Sequence, residues 1–311
     1  MLAPNKIYEE FERNIINKLT ALNLLVTIIE NSDNDNVRED CIYYLQKLGI
    51  ENKMFEFFEN LFISDSNARI RNASAKIINL FFLNKALKPM KWALKNDKDY
   101  DCIITIIETL VSLNNWISKS ILKKELKKIK KEKYLDKSKG IDNKKYKKSI
   151  DDFFKKTEID KINHSEIAEI IVNYKTICCL TKKFYSVSYD LENALVVKLD
   201  LADIEYEVRG WKSEFKNNIK SISEITGLKN LKKLRELNVS NNLIENFKDL
   251  IDLKELTHLY ISNNKIKDNI NLKYLKCLNL KYLDISGNEL CNVIKFEAFP
   301  NLRIKVNRFY C

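Results

Sequence analysis

Residues 234–266, LRELNVSNNLIENFKDLIDLKELTHLYISNNKI, decide the fold because they state one pattern twice. The pattern is L-x-x-L-x-L-x-x-N, and the second copy begins 22 residues after the first. Two more copies follow, so the spacing predicts a short strand in each repeat whose apolar residues stack on those of its neighbours. The matched positions are Leu234, Leu237, Val239 and Asn242; Leu256, Leu259, Ile261 and Asn264; Leu280, Leu283, Ile285 and Asn288; and Phe299, Leu302, Ile304 and Asn307.

The asparagine that ends each copy is polar, yet the repeat turns it inward. Its amide can pair backbone groups that are left free where the chain curves away from the strand, and each such group would cost about 1–3 kcal/mol if buried unpaired. We therefore predict a structural ladder, with no part in binding, formed by Asn242, Asn264, Asn288 and Asn307.

We predict that the strand residues between the leucines contact a partner, because side chains alternate between the two faces of a strand and these residues face away from the buried leucines. Tyrosine and histidine at these positions are amphipathic anchors of the kind enriched at interfaces. The alternative is that these positions are ordinary solvated strand residues. The candidate protein-binding residues are Glu236, Asn238, His258, Tyr260, Tyr282, Asp284 and Arg303.

The N-terminal third has the spacing of paired helices. Three pairs fit residues 18–114, with a leading helix at 7–17 and a trailing one that begins near Ser118. The turns within the pairs carry Asp, Asn and Ser, which accept hydrogen bonds from the free N–H groups at the start of a helix. Arg38 and Arg71 stand at matching places just inside two second helices, which indicates a structural role.

A lysine-rich segment accounts for nearly all of the net charge of +11, with sixteen lysines against six acidic residues between positions 119 and 156. We predict a helix with Ile121, Leu122, Leu126 and Ile129 on one side, broken near Gly140. The alternatives are a solvated connector and a contact to a polyanion, either nucleic acid or an anionic membrane. The polyanion contact would use Lys123, Lys124, Lys127, Lys128, Lys130 and Lys131.

Composition argues against several classes of protein. Seven cysteines without a CxxC pair favour neither a disulfide framework nor a zinc site, and two histidines and five scattered glycines offer little for catalysis or phosphate binding. The apolar runs are shorter than the roughly 18 residues of a membrane span, and the first residues lack the features of a signal peptide. We expect a cytoplasmic protein without catalytic residues, metal or cofactor, and not an enzyme.

The repeats around residues 195–308 resemble the leucine-rich repeat family, and the turns DNVR and NARIR of the helical part resemble HEAT repeats. Proteins that join the two, in archaeal and eukaryote-like forms, are similar to the whole chain. The resemblance implies acidic turn residues that contact an arginine of the next repeat, and a concave sheet face that binds protein.

We therefore predict an α+β chain of two solenoids: a HEAT-like all-α superhelix at residues 1–126, a lysine-rich helical connector at 127–182, and a curved α/β leucine-rich solenoid at 183–311 with a β-hairpin at its start and a cap at its end. The predicted function is a non-catalytic scaffold for a protein partner that is held on the leucine-rich face and on the HEAT surface. Polyanion binding through residues 119–156 is the alternative.

Overall fold

A computed structural model describes residues 3–158, 161–202, 204–208, 211–215, 217–292 and 299–306, with backbone only for 204–208, 211–215 and 291–292. Backbone contacts divide the chain into two compact units, residues 1–124 and 125–311.

Helices make up the described part of the first unit, and polar side chains cap several of them. Asn34, Asn67 and Asp99 each accept a hydrogen bond from a backbone N–H of the helix that they precede, as the sequence of the turns predicts. Pro89 lies in the first turn of its helix, where no helical bond to its nitrogen is lost. The helices are α1 (Pro4–Glu12), α2 (Lys18–Asn31), α3 (Asp35–Leu48), α4 (Phe55–Ser64), α5 (Ala68–Phe81), α6 (Leu87–Asn96), α7 (Tyr100–Leu113) and α8 (Trp116–Lys131), which continues into the second unit.

Two arginines connect successive helix pairs. Arg38 on α3 donates to the Ile29 carbonyl at 2.9 Å and to the Asp65 carboxylate in the turn of the following pair. Arg71 on α5 binds both oxygens of Asp97, at 2.8 and 3.0 Å, in the next turn. The contact runs from an arginine to the acidic residue of the following repeat, which reverses the direction that the HEAT resemblance implies. The arrangement is consistent with a repeat domain.

The second unit contains three helices after α8 and ten strands among its described residues. Its elements are β1 (Tyr134–Asp136), β2 (Ile141–Asp142), α9 (Lys144–Lys156), α10 (His164–Lys183), β3 (Ser188–Glu192), β4 (Leu195–Asp200), β5 (Ile204–Val208), β6 (Trp211–Phe215), β7 (Glu236–Asn238), β8 (His258–Tyr260), α11 (Ile270–Lys276), β9 (Tyr282–Asp284) and β10 (Arg303–Lys305).

Residues 127–182, predicted as a connector, pack within this second unit. Tyr146 and Ile150 of α9 are fully buried, and the amide of Asn173 on α10 accepts a hydrogen bond of 2.9 Å from the Val196 nitrogen of β4. The segment is thus part of the unit that contains the sheet, because its apolar side chains have neighbours there to cover them. The helix predicted around the lysines ends at Lys131, and a hairpin of β1 and β2 follows.

The main sheet has six strands in the order β10, β9, β8, β7, β4, β3. All neighbours pair in parallel except β3 and β4, which form the antiparallel hairpin predicted from their alternating sequence. One register row passes through Leu199, Leu237, Leu259 and Leu283, all at most 1% exposed. This row forms the centre of the core.

Candidate functional site

Side chains that alternate with the buried leucines form what we call the solvent face of the sheet. Strand register arranges them in two rows across the strands β4, β7, β8, β9 and β10. The first row is Lys198, Glu236, His258, Tyr282 and Arg303, and the second is Asp200, Asn238, Tyr260, Asp284 and Lys305. The predicted binding residues therefore lie together on one surface.

Three aromatic rings occupy the middle of the solvent face. The rings of His258 and Tyr282 stack with centroids 6.1 Å apart, and Tyr260 lies 5.2 Å from Tyr282 at 45°. All three are half-buried, so part of each ring is accessible to solvent. Partial burial, together with the nearby Glu236 charge, raises the pKa of the Tyr260 hydroxyl above its ordinary value.

The β10 edge of the face is basic. The guanidinium of Arg303 lies over the Tyr282 ring at 6.0 Å, and Lys305 pairs with Asp284 at 2.8 Å. Asp284 is only 6% exposed and also accepts bonds from the Ser286 backbone and hydroxyl, so it supports the face and offers little surface to a partner. Asp284 as a contact residue stays a prediction. Burial opposes ionisation, but the Lys305 and Ser286 bonds prevail and lower the pKa of Asp284.

The β4 end of the face holds a cavity of about 230 Å³, which is lined mainly by polar side chains from β3, β4, β7 and β8. Lys198 pairs with Glu236 across its floor at 2.9 Å. Asp200 accepts hydrogen bonds from the Asn238 side chain at 3.0 Å and from the Ala202 nitrogen at 2.9 Å. Lys198 and Asp200 are not among the residues predicted from the sequence, although the spacing of Leu199 and Leu201 in VVKLDL matches the strand part of the repeat.

The asparagine at the end of each copy joins two turns, as in Asn264. Its Nδ2 donates to the carbonyls of Ile261 and Ser262 in its own repeat and of Val239 in the preceding one, at 2.9–3.1 Å. Its Oδ1 accepts from the Ile244 nitrogen at 2.9 Å. Asn242 and Asn288 make the corresponding bonds, whereas Asn307 lies outside the described residues.

The repeat before the first regular copy, whose strand is hard to see in the sequence, has Asn217 at the position of the ladder asparagine. Its Nδ2 donates to the Leu201 and Ser186 carbonyls at 2.7 and 3.1 Å, and its Oδ1 accepts from the Tyr185 nitrogen at 3.1 Å. These bonds reproduce the pattern of Asn242, but the hairpin of β5 and β6 stands between the strand β4 and this asparagine. The inserted hairpin is why the repeat did not match by spacing.

Lysines of the basic segment have several different surroundings. Lys128 pairs with the buried Glu125 at 2.7 Å, and Lys130 pairs with Asp151 at 2.5 Å. Lys124, Lys127 and Lys131 are exposed, and Lys123 is half-buried. The six predicted polyanion contacts therefore differ in how far their charge is already neutralised by a neighbour.

Within the described ranges, no three His, Cys, Asp or Glu side chains are grouped so that they could hold a metal ion. A search of the same residues for a helix with the length and hydropathy of a membrane span gives none.

Comparison with protein families matches residues 279–302 to the Leucine Rich Repeat family. These residues include β9 and the copy of the pattern that begins at Leu280. Comparison with curated proteins gives no significant match. The chain thus contains a leucine-rich repeat in its parallel sheet, and because such repeats are commonly protein-interaction modules, the match supports a general protein-binding role.

Proposed function

We propose that this protein is a non-catalytic scaffold that holds a protein partner on the solvent face of its leucine-rich sheet. The aromatic group His258, Tyr260 and Tyr282 carries the proposal. Tyrosine offers a large contact area at a small entropic cost, and half-buried rings need little further ordering when a partner covers them. The helical unit would then be a HEAT-like repeat array that serves as a second interaction surface, and the whole protein would act in the cytoplasm.

Support for this face also comes from its rigidity. The strands β7, β8 and β9 pair in parallel on both sides, β4 pairs with β7 and with β3, and β10 pairs with β9. An asparagine fixes the turn that follows β7, β8 and β9. A preorganised surface loses less entropy on binding than a flexible one, so a modest interface there can reach useful affinity.

Affinity capture from cell extract tests the proposal. Wild-type protein is compared with the double variant Tyr260→Ala/Tyr282→Ala and with Tyr185→Ala, which removes a tyrosine that is 68% exposed and not on the solvent face. We expect the same proteins to be recovered with wild type and Tyr185→Ala and to be lost with the double variant. Equal recovery with all three forms would exclude this face as the binding site.

A second candidate function is polyanion binding by the exposed lysines of α8. Lys127 and Lys131 are both exposed and lie four residues apart, which places them on one side of the helix. Such a contact would weaken steeply with salt because counterions are released from the polyanion on binding.

A further inference from the structure

Among the side chains that the structure describes, the solvent face has one unpaired charge near each end, and the two charges have opposite sign. At the β4 end, the Asp200 carboxylate is held by the neutral donors Asn238 and Ala202, and among the described residues no cation pairs with it. At the β10 end, Arg303 lies over an aromatic ring, and among the same residues no carboxylate pairs with it. The other charged side chains of the two rows are paired with each other: Lys198 with Glu236, and Lys305 with Asp284.

The distance between these two charges follows from the sheet. Asp200 and Arg303 stand on strands separated by four strand-to-strand steps. Four steps of about 4.8 Å, with the two-residue offset between the rows, place them about 20 Å apart, which an extended chain covers with about six residues. The rings of His258, Tyr260 and Tyr282 lie on the strands between these two charges.

Resting on the proposed function, we infer that the partner presents a segment that crosses the strands with a basic side chain over Asp200 and an acidic side chain over Arg303. An arginine suits the β4 cavity because its planar guanidinium can donate two bonds to Asp200 while it lies beside the Tyr260 ring. Apolar or aromatic side chains between the two charges would cover the central rings. The order of charges fixes the direction in which the segment lies.

Selection from a display library of random peptides of about ten residues, long enough to span the face when extended, tests this inference. The full-length protein is the target, as wild type, Asp200→Asn, Arg303→Gln and Tyr260→Ala/Tyr282→Ala. Asparagine at position 200 keeps the acceptor for the Ala202 nitrogen, so the loop after β4 is retained. Asp252→Asn and Lys229→Gln neutralise exposed charges that belong to neither row and serve as matched controls.

On wild type and both controls we expect enrichment of peptides in which an Arg or Lys stands about six positions from an Asp or Glu. Asp200→Asn should remove the preference for the basic residue alone, and Arg303→Gln the preference for the acidic residue alone. Each selected peptide should bind the matching variant about tenfold more weakly than wild type. The preference that each variant retains shows that its face is still folded.

The proposed binding face and the inferred charged segment can be contradicted by different results. Peptides that depend on the tyrosines but ignore both charge changes would overturn the inference and leave the binding face in place. Enrichment that is equal on the double tyrosine variant, or no enrichment on wild type, would overturn both. Concentration-dependent dimers of wild type that dissociate in Asp200→Asn or Arg303→Gln would also overturn the inference, since a second copy would then occupy the face.

Discussion

The side-chain amide of Asn264 donates to the carbonyl oxygen of Val239 at 2.9 Å, and this bond joins one repeat to the repeat before it. Asn264→Ala removes that donor together with the acceptor that pairs the Ile244 nitrogen. We expect the free energy of unfolding to fall by about 1–3 kcal/mol for each buried backbone group left unpaired. Urea denaturation followed by circular dichroism measures it. Asn279→Ala, which removes an exposed amide with a bond of 3.3 Å, is the control, and an equal effect of both changes would contradict the structural role.

Gly287 is predicted to resist substitution for two reasons, a φ of +71° and the side chain of Asn263, which stands where a Cβ would be. Gly140 is a control for the first reason alone, because its φ is +66° but a Cβ added there would meet open space. Gly140→Ala should cost only the left-handed conformation, about 1–2 kcal/mol, and Gly287→Ala clearly more. In a double-mutant cycle, the stability lost on Gly287→Ala should be smaller when Asn263 is already alanine. If Gly287→Ala costs the same stability with and without the Asn263 side chain, that side chain is not the cause of the extra cost.

Asp97 should make the first unit sensitive to acid. Although burial opposes ionisation, hydrogen bonds from Arg71 and the Asp99 nitrogen hold the pKa of this carboxyl below its usual 3.8. A folded-state pKa below the unfolded one gives stability that is fully present above pH 3.8 and is lost as the pH falls through the lower, folded value. Denaturation of wild type and Asp97→Asn across that range should show a weaker pH dependence in the variant.

At neutral pH, Asp97→Asn should lower the free energy of unfolding by about 2–5 kcal/mol, because it leaves a partly buried guanidinium without its anion. Glu39→Gln breaks the exposed pair with Arg69 and should cost about 1 kcal/mol or less. Similar values for the two variants would mean that the Arg71 pair stabilises no more than a surface ion pair.

The exposed lysines of α8 give a prediction for the second candidate function. If α8 binds a polyanion, Lys127→Gln/Lys131→Gln should weaken retention on heparin and reduce the slope of log affinity against log salt by about two. Lys229→Gln/Lys248→Gln, which alters lysines outside the basic segment, is the control. Equal elution of the two double variants would exclude these lysines as the contact.

The repeats of the sheet are predictable from the sequence because Leu237, Leu259 and Leu283 occupy the same place in one short pattern, and each is buried against its neighbours. The same regularity made it possible to expect that Tyr260 and Tyr282 share a face. By contrast, an inserted hairpin separates Asn217 from the strand of its repeat. Asp200 lies beside Leu199 and Leu201, whose spacing matches the repeat, but the pairing of β4 with β7 is not visible in the sequence. Strand register, and the strand to which a repeat interrupted by an insertion belongs, are set by pairing between residues that are distant in sequence.

The helical residues 164–183 show how tertiary contacts override local preference. The capping box of Asn163 and Glu166, a signal readable from the local sequence, marks the start of α10. The β-branched residues near Cys178 and Cys179 favour a strand by local propensity, yet the helix continues to Lys183. Burial of Ile177 and Leu180 against the rest of the second unit supplies more free energy than strand propensity does.

Site-specific photo-crosslinking tests the central claim most directly. A photoreactive amino acid replaces Tyr282 on the solvent face or, in a matched form, the exposed Tyr185 away from it. After illumination in cells, we expect the form labelled at 282 to be joined to a partner protein, and the crosslink to disappear when Tyr260→Ala is added. Crosslinks of equal yield from both positions, or from 185 alone, would contradict binding on the solvent face.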